Sequence, residues 1–188
     1  MAIARSLRTA ADCPPAARDC QGAWFRYQLV NLAGPATVRG VDGVLEAELG
    51  GVRARATLGY AHGEGPNPEP RPIDPAIPYA ASVPLSRVPP LNGTVELTRA
   101  VGDVEAAIAA RWAARQDRLA PSDRGDPRIP AGGTPGYLVV DARAVVPITP
   151  QLRVGMILEN LGDAAYRYHG SAINGPGRSV LVHLELTP

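Results

Sequence analysis

Three histidines, two cysteines and a scatter of serines and aspartates are the residues of this chain whose chemistry could make a site. Cys13 and Cys20 stand in a loop-like Pro/Ala/Arg/Asp stretch, a spacing that can close a small disulfide ring in an oxidising compartment. Two free thiols are the alternative, and a metal pair is weak because no His or second Cys pair accompanies them. Asp117, Asp123 and Asp126 do not have calcium-loop spacing, so turn formation is the better reading. Ser86, Ser122 and Ser171 have no identifiable Ser/His/Asp partners. The chain reads as a non-enzyme with no cofactor. That leaves His62, His169 and Asn174, at the edges of long loops, as candidates to touch a solute; simple solvation of the histidines is the competing reading.

The 188 residues are enough for one domain with a substantial core. A net charge of +1 gives no field that would draw nucleic acid, which is set aside as a partner. Glycine and proline, 20 of each, make up over a fifth of the chain and call for many turns. No apolar run reaches the roughly 18 residues of a transmembrane helix. The opening MAIARSLRTAADC lacks a sustained apolar stretch and does not read as a secretory leader.

The elements that must position these residues announce themselves by a period of two. In GVDGVLEAEL, Val41, Gly43, Leu45, Ala47 and Leu49 alternate with Asp42, Val44, Glu46 and Glu48. In VRARATLGYAH, Val52, Ala54, Ala56, Leu58 and Tyr60 alternate with Arg53, Arg55 and Thr57. Gly50-Gly51 between them supplies a two-residue hairpin turn. Pairing Leu49 with Val52 sets Glu48 opposite Arg53 and Glu46 opposite Arg55, cross-strand pairs worth roughly 0.2–1 kcal/mol each. The same alternation recurs in LNGTVELTR, YLVVDARAVV, QLRVGMILEN and SVLVHLEL. In VEAAIAARWAARQDRLA, the spacing of Val104, Ile108 and Trp112 also fits a helix, which alanine favours. The alternation of Val104, Ala106, Ile108, Ala110 and Trp112 with Glu105 and Arg111 selects a strand.

Connections alternate between short (50–51, 101–103, 147–150) and long (63–90, 117–136, 162–178). An up-and-down meander then has all its tight turns at one end and its long loops at the other, as outer-membrane barrels do. Full charges sit on one face of nearly every strand, and small aliphatic residues on the other. Lipid outside and water inside demand that segregation, because a lipid-facing Arg or Lys costs about 2–4 kcal/mol at the bilayer midplane. Aromatic residues are only 5%, and Trp24, Phe25, Tyr27, Tyr60, Trp112 and Tyr137, near the long-loop ends, can form part of an interfacial girdle.

Near the end, ENLGDAAYRYHGSAINGPGRSVLVHLEL resembles the C-terminus of TonB-dependent outer-membrane receptors. There an Asn-Leu-x-Asp-x-x-Tyr segment ends the penultimate strand and a loop with Pro-Gly-Arg leads to the last. The matching positions are Asn160, Leu161, Asp163 and Tyr166, then Pro176, Gly177 and Arg178. NLAGPATVRGVDG is similar to the family's Asn-x-x-x-Ala-x-x-x-Gly-Val-Glu segment through Asn31, Ala36, Gly40 and Val41, with Asp42 in place of the usual Glu. PLSRVPPLNGTVEL is similar to its Leu-x-Arg-x-Pro-Pro segment through Leu85, Arg87, Pro89 and Pro90. The resemblance covers roughly residues 22–188.

It implies an all-β, antiparallel up-and-down meander forming the C-terminal segment of a transmembrane β-barrel. Residues 1–21 would be a partial strand and outer loop, and residues 22–188 a segment of about seven strands. It further implies a parent in the outer membrane of a Gram-negative bacterium, surrounded by lipid bilayer and lipopolysaccharide and inserted by the barrel-assembly machinery. That parent would capture a ferric siderophore, haem, cobalamin or similar metal chelate and move it inward with energy from the TonB complex, coupled through a plug domain. Family barrels have about 22 strands around a plug, whereas this chain offers seven clear strands and a further piece in MAIARS. It also ends in Thr187-Pro188 where the family has an aromatic residue. The expectation is the C-terminal third of a longer receptor. A small independent barrel acting as pore or adhesin, and a soluble β-barrel or sandwich binding module, are the alternatives.

Overall fold

Alternating residues and glycine turns do produce strands, and the computed structural model describes residues 2–7 and 25–187, with side chains from residue 31 onward. Its strands are β1 (Ala2–Leu7), β2 (Phe25–Val30), β3 (Thr37–Leu49), β4 (Val52–Pro66), β5 (Ser82–Pro84), β6 (Asn92–Val101), β7 (Val104–Ala113), β8 (Tyr137–Thr149), β9 (Leu152–Glu159) and β10 (Ser179–Leu186), with one short helix, α1 (Pro121–Arg124). Cys13 and Cys20, and with them most of the expected 1–21 segment, lie outside the described residues.

The main sheet runs β10-β9-β8-β7-β6-β4-β3, every neighbouring pair antiparallel, with β5 folding back onto the end of β4. β1 and β2 form a separate antiparallel pair. Among the described residues, β3 and β10 each keep one unpaired edge, so the sheet is open. Gly50 and Gly51, at φ 59° and 75°, make the tight turn that sets the first register. Leu49 pairs with Val52, Glu48 with Arg53 and Glu46 with Arg55, and the last two join in an ion pair at 3.4 Å.

The ambiguous alanine-rich segment is strand β7: both edges are claimed by neighbours, and that pairing outweighs alanine's helical preference. Three boundaries depart from the sequence reading. β3 starts at Thr37 and β4 reaches Pro66, both longer than their alternating stretches suggest. The 147–150 segment is not all turn: β8 continues through Pro147 to Thr149, where a register shift absorbs the proline's missing N–H. Phe25–Val30, not read as a strand, is β2.

Among the described residues, no second layer covers the apolar face. Val41 is 64% exposed, Leu45 68%, Val182 64% and Leu184 68%, whereas a water-soluble sheet would bury that row. The opposite face carries the charges, and three grooves of about 270–420 Å³, each lined in part by Glu96, lie on that side. β6 and β7, at 10 residues each, have the length a tilted strand needs to cross a bilayer. Buried side chains gather elsewhere, at the long-loop end: Leu119, Ala120, Ile129, Val139 and Tyr166.

A charge on the apolar face should therefore be costly only in lipid. Val95→Arg, inside β6, is expected to destabilise the chain refolded in phospholipid vesicles by about 2–4 kcal/mol, and Thr98→Arg on the other face by under about 1 kcal/mol. Guanidinium unfolding followed by tryptophan fluorescence measures both.

Candidate functional site

The charged face is a ladder. Register sets Glu46 of β3, Arg55 of β4 and Glu96 of β6 in one row. Ala107 and Ala109 on β7 are small enough for Arg143 of β8 to reach across them to Glu96 at 2.9 Å. Arg111 meets Asp141 at 3.5 Å, Arg153 meets Glu185 at 3.6 Å, and the Thr57 and Thr94 hydroxyls lie 2.7 Å apart. Glu46, Glu96, Asp141 and Glu185 each have a base within 3.6 Å, so much of the charge on this wall is paired.

Above the ladder, the three long loops are tied to one another by buried polar groups. Asp123 is 2% exposed; one of its carboxylate oxygens accepts the Ser86 hydroxyl and the other the Arg87 N–H at 3.2 Å. Arg87 itself holds φ 58°, a left-handed turn that this contact secures. Asp126 accepts the forked Arg128 guanidinium at 2.6–3.2 Å and Arg87 at 3.5 Å. Gln116 donates to the Val88 carbonyl at 2.7 Å while its backbone exchanges both hydrogen bonds with Thr134. Pro89 and Pro90 follow, and Asn92 opens β6 with its amide on the Pro90 carbonyl at 2.8 Å.

The last loop is tied by Asn160, which is 1% exposed. Its amide donates to the Ala164 and Pro176 carbonyls, both at 3.0 Å, and its oxygen accepts the Ala164 N–H at 2.8 Å. Its own N–H donates to Asp141 at 2.8 Å, and the Leu161 N–H to the Val140 carbonyl at 2.8 Å. Asn160 and Asp163 sit at φ 50° and 49°, which Asn and Asp tolerate best among side-chain-bearing residues. Asp163 then accepts the Arg178 N–H at 3.0 Å, just past Gly177, and closes the loop onto β10. Tyr166 is 5% exposed, stacked with Tyr137 and Tyr168 at centroid distances of 5.2 and 5.7 Å, its hydroxyl 3.4 Å from Arg111. A Cβ on Gly175 would overlap the Tyr166 ring, so that glycine serves close approach. Burial raises the Tyr166 pKa and keeps the phenol protonated.

The other motif group frames the opposite side of the sheet. Asn31 is exposed beyond β2, and Ala36 packs with Leu32 and Leu85 around Gly65. Gly40, Val41 and Asp42 lie within β3, Val41 on the apolar face and Asp42 beside Gly59 on the charged one.

The three solute-contact candidates do not converge. His62 lies against Arg118 at 2.9 and 3.1 Å and Glu64 at 3.3 Å, lining a cavity of about 470 Å³. His169 shares a hydrogen bond with Thr134 at 2.9 Å and lines a different cavity of about 340 Å³. Asn174 accepts a hydrogen bond from Arg167 at 2.8 Å. Among the described residues, no three His, Cys, Asp or Glu side chains are placed to hold a metal ion. The second cavity also presents Arg87, Arg111, Arg167, Tyr137 and Tyr168, of which sequence reasoning took none as contacts. Strand parity was the available signal, since Tyr137 and Arg111 fall on the charged face. Tyr137 accordingly belongs to this stack and not to a lipid girdle, whereas Tyr60 and Trp112 do lie on the apolar face.

Comparison with known proteins agrees with this geometry. The family model described as TonB dependent receptor-like, beta-barrel matches residues 5–161, which includes two of the three motif groups and the start of the last. Solved structures match in 27 chains. One is described as Copper transporter OprC, with 21% identity and a TM-score of 0.63; the match covers 80% of this chain and 23% of that one. The chain thus spans under a quarter of that structure's length. None of the curated proteins matches.

Asn160→Ala would strand two carbonyls and an N–H in a buried loop. It should cost about 2–4 kcal/mol of loop stability, read as faster amide exchange across 161–178, while Asn174→Ala costs under about 0.5 kcal/mol. Burial lowers the His169 pKa against a smaller opposing pull from Asp123, so the folded loop prefers neutral imidazole. An opened loop binds the extra proton, so the loop keeps its stability above the ordinary value of 6.5 and loses it as pH falls from there through the lowered value. Amide exchange across the same loop should accelerate over that window, and His169→Gln should flatten the response.

Proposed function

Because the chain belongs to the TonB-dependent receptor β-barrel family, we propose that it forms a wall segment of an outer-membrane active-transport receptor. Its parent would take up a scarce metal chelate, such as a ferric siderophore, haem or cobalamin, with TonB-coupled energy. A copper chelate joins that set on the name of the similar transporter. The supporting observation is the continuous antiparallel sheet with an uncovered apolar face on one side and a charge ladder on the other. Lipid would wet the first and a water-filled lumen the second. In this reading the bilayer, lipopolysaccharide and the barrel-assembly machinery are partners of the apolar face and the open edges. The TonB complex would act through a plug seated against the ladder, and residues 1–21 would supply an outer loop that a Cys13–Cys20 disulfide can close.

The first measurement is the DNA upstream of the Met1 codon, translated in frame. The longest reading frame is then placed in a Gram-negative host without receptors of its own. Labelled ferric chelate, haem, cobalamin and copper chelate are supplied with and without TonB. Uptake of one of them is expected to fall to background when TonB is deleted. Uptake indifferent to TonB would replace the receptor with a passive pore.

A further inference from the structure

The cavity of about 340 Å³ at the loop end differs in charge from everything below it. Three guanidiniums line it, from Arg87, Arg111 and Arg167, and no carboxylate does. Outside the lining, Asp126 faces Arg87 at 3.5 Å and Asp141 faces Arg111 at 3.5 Å. Arg167 is met by the neutral Asn174 amide oxygen. Asp126 is shared with Arg128, and Asp123, which holds the Arg87 N–H, adds a third carboxylate, so four guanidiniums meet three carboxylates and the balance is one positive charge. Arg111 adds a second mark: its Nε is buried without a hydrogen-bond partner, a group whose desolvation an acceptor would offset. Beside the guanidiniums stand the rings of Tyr137 and Tyr168, edge to face at 5.8 Å, forming an aromatic corner against which another ring can pack.

We propose that this cavity binds an aromatic ring carrying one negative charge, a benzoate-like group, either free or as part of a larger solute. The anion lies against Arg167 and Arg111, which offer planar N–H pairs of the spacing a carboxylate accepts, and the ring lies against Tyr168 and Tyr137. One uncompensated charge selects a monoanion. The volume admits one ring with a short substituent and stands at the low end of ligand pockets generally. The proposal rests on the receptor reading only in taking the charged face as the solute's side.

The test is calorimetric titration of the purified full chain in detergent micelles with benzoate, benzenesulfonate, phenylphosphonate and benzyl alcohol. Benzoate is expected to bind at least about ten-fold more tightly than the uncharged alcohol. Arg167→Gln should weaken benzoate about ten-fold, while Arg167→Lys, which keeps the charge but loses the planar N–H pair, should recover only part of that loss. Tyr168→Ala should weaken benzoate and benzyl alcohol together. Arg71→Gln, in an exposed loop away from the cavity, should change nothing. Equal binding of benzoate and benzyl alcohol, or parent-like benzoate binding in Arg167→Gln with a native circular dichroism spectrum, overturns the proposal. Preference for benzenesulfonate or phenylphosphonate over benzoate retains an aromatic anion site and removes the carboxylate. Binding by the chain is read without transport, so failed uptake with intact benzoate binding sinks the receptor reading alone, and the reverse result sinks this one alone.

Discussion

A strand inside hydrocarbon has nowhere to put its N–H and C=O groups except on another strand, and nearly every feature of this sheet follows from that constraint. The meander pairs each inner strand on both edges. Once pairing fixes the backbone, the pleat sends side chains alternately to two solvents, and the sequence must satisfy both at every second residue. Leu45 and Glu46 are neighbours in the chain and face opposite worlds. The alanines of β7 show the same constraint at work on size: Ala107 and Ala109 leave the room through which Arg143 meets Glu96. A larger residue there would cost the ladder a rung without adding apolar area, since that face is not the lipid one.

The loop end obeys a different rule. It has few large apolar side chains to bury, so its order comes from polar residues used as ties. Asp123 fastens the turn at Ser86 and Arg87 across 37 and 36 residues of sequence, and Asn160 fastens a loop whose return passes at Pro176. Buried polar groups satisfied in full are demanding of geometry, and they define one loop arrangement where an apolar cluster would accept several. The Tyr137, Tyr166 and Tyr168 stack adds packing to that arrangement and carries the order down to Arg111 on the strand wall.

Strand pairing was legible in the sequence wherever alternation ran into a tight turn. Gly50-Gly51 yields the whole register of β3 and β4, charge pairs included. Where a local rule met a tertiary exception, legibility failed. Proline is expected to stop a strand, yet at Pro147 a register shift keeps β8 going for two more residues. Phe25–Val30 alternates as well as its neighbours do, and was hidden by the Asn-Leu-Ala-Gly-Pro break that follows it. The motif positions of the last loop were visible as types, but the partners of Asn160 were not, because nothing local says that an amide will span to residues 164 and 176. Tyr137 shows parity outranking residue type: an aromatic near a loop end suggests a girdle, but its odd position in β8 turns it inward.

The contrast between the two levels of the charged face bears on how a solute would pass. Along the strands Arg55, Arg111, Arg143 and Arg153 each have an acid within about 3.6 Å, so an ion sliding past these pairs meets alternating fields that partly cancel. At the loop cavity the lining bases have no carboxylate among them, and the compensation comes from behind. An anion is therefore favoured at the mouth and neither held nor repelled strongly below it. A wall built the other way, neutral above and cationic below, would draw the solute to a place where it must be pulled off a deep well. Concentrating unpaired charge in the loops lets selectivity reside in segments tied by a handful of polar contacts, while the strands keep the pattern that lipid and pairing impose. In the proposed receptor, substitution at Arg167 or Tyr168 would then change cargo preference without disturbing a single ladder hydrogen bond.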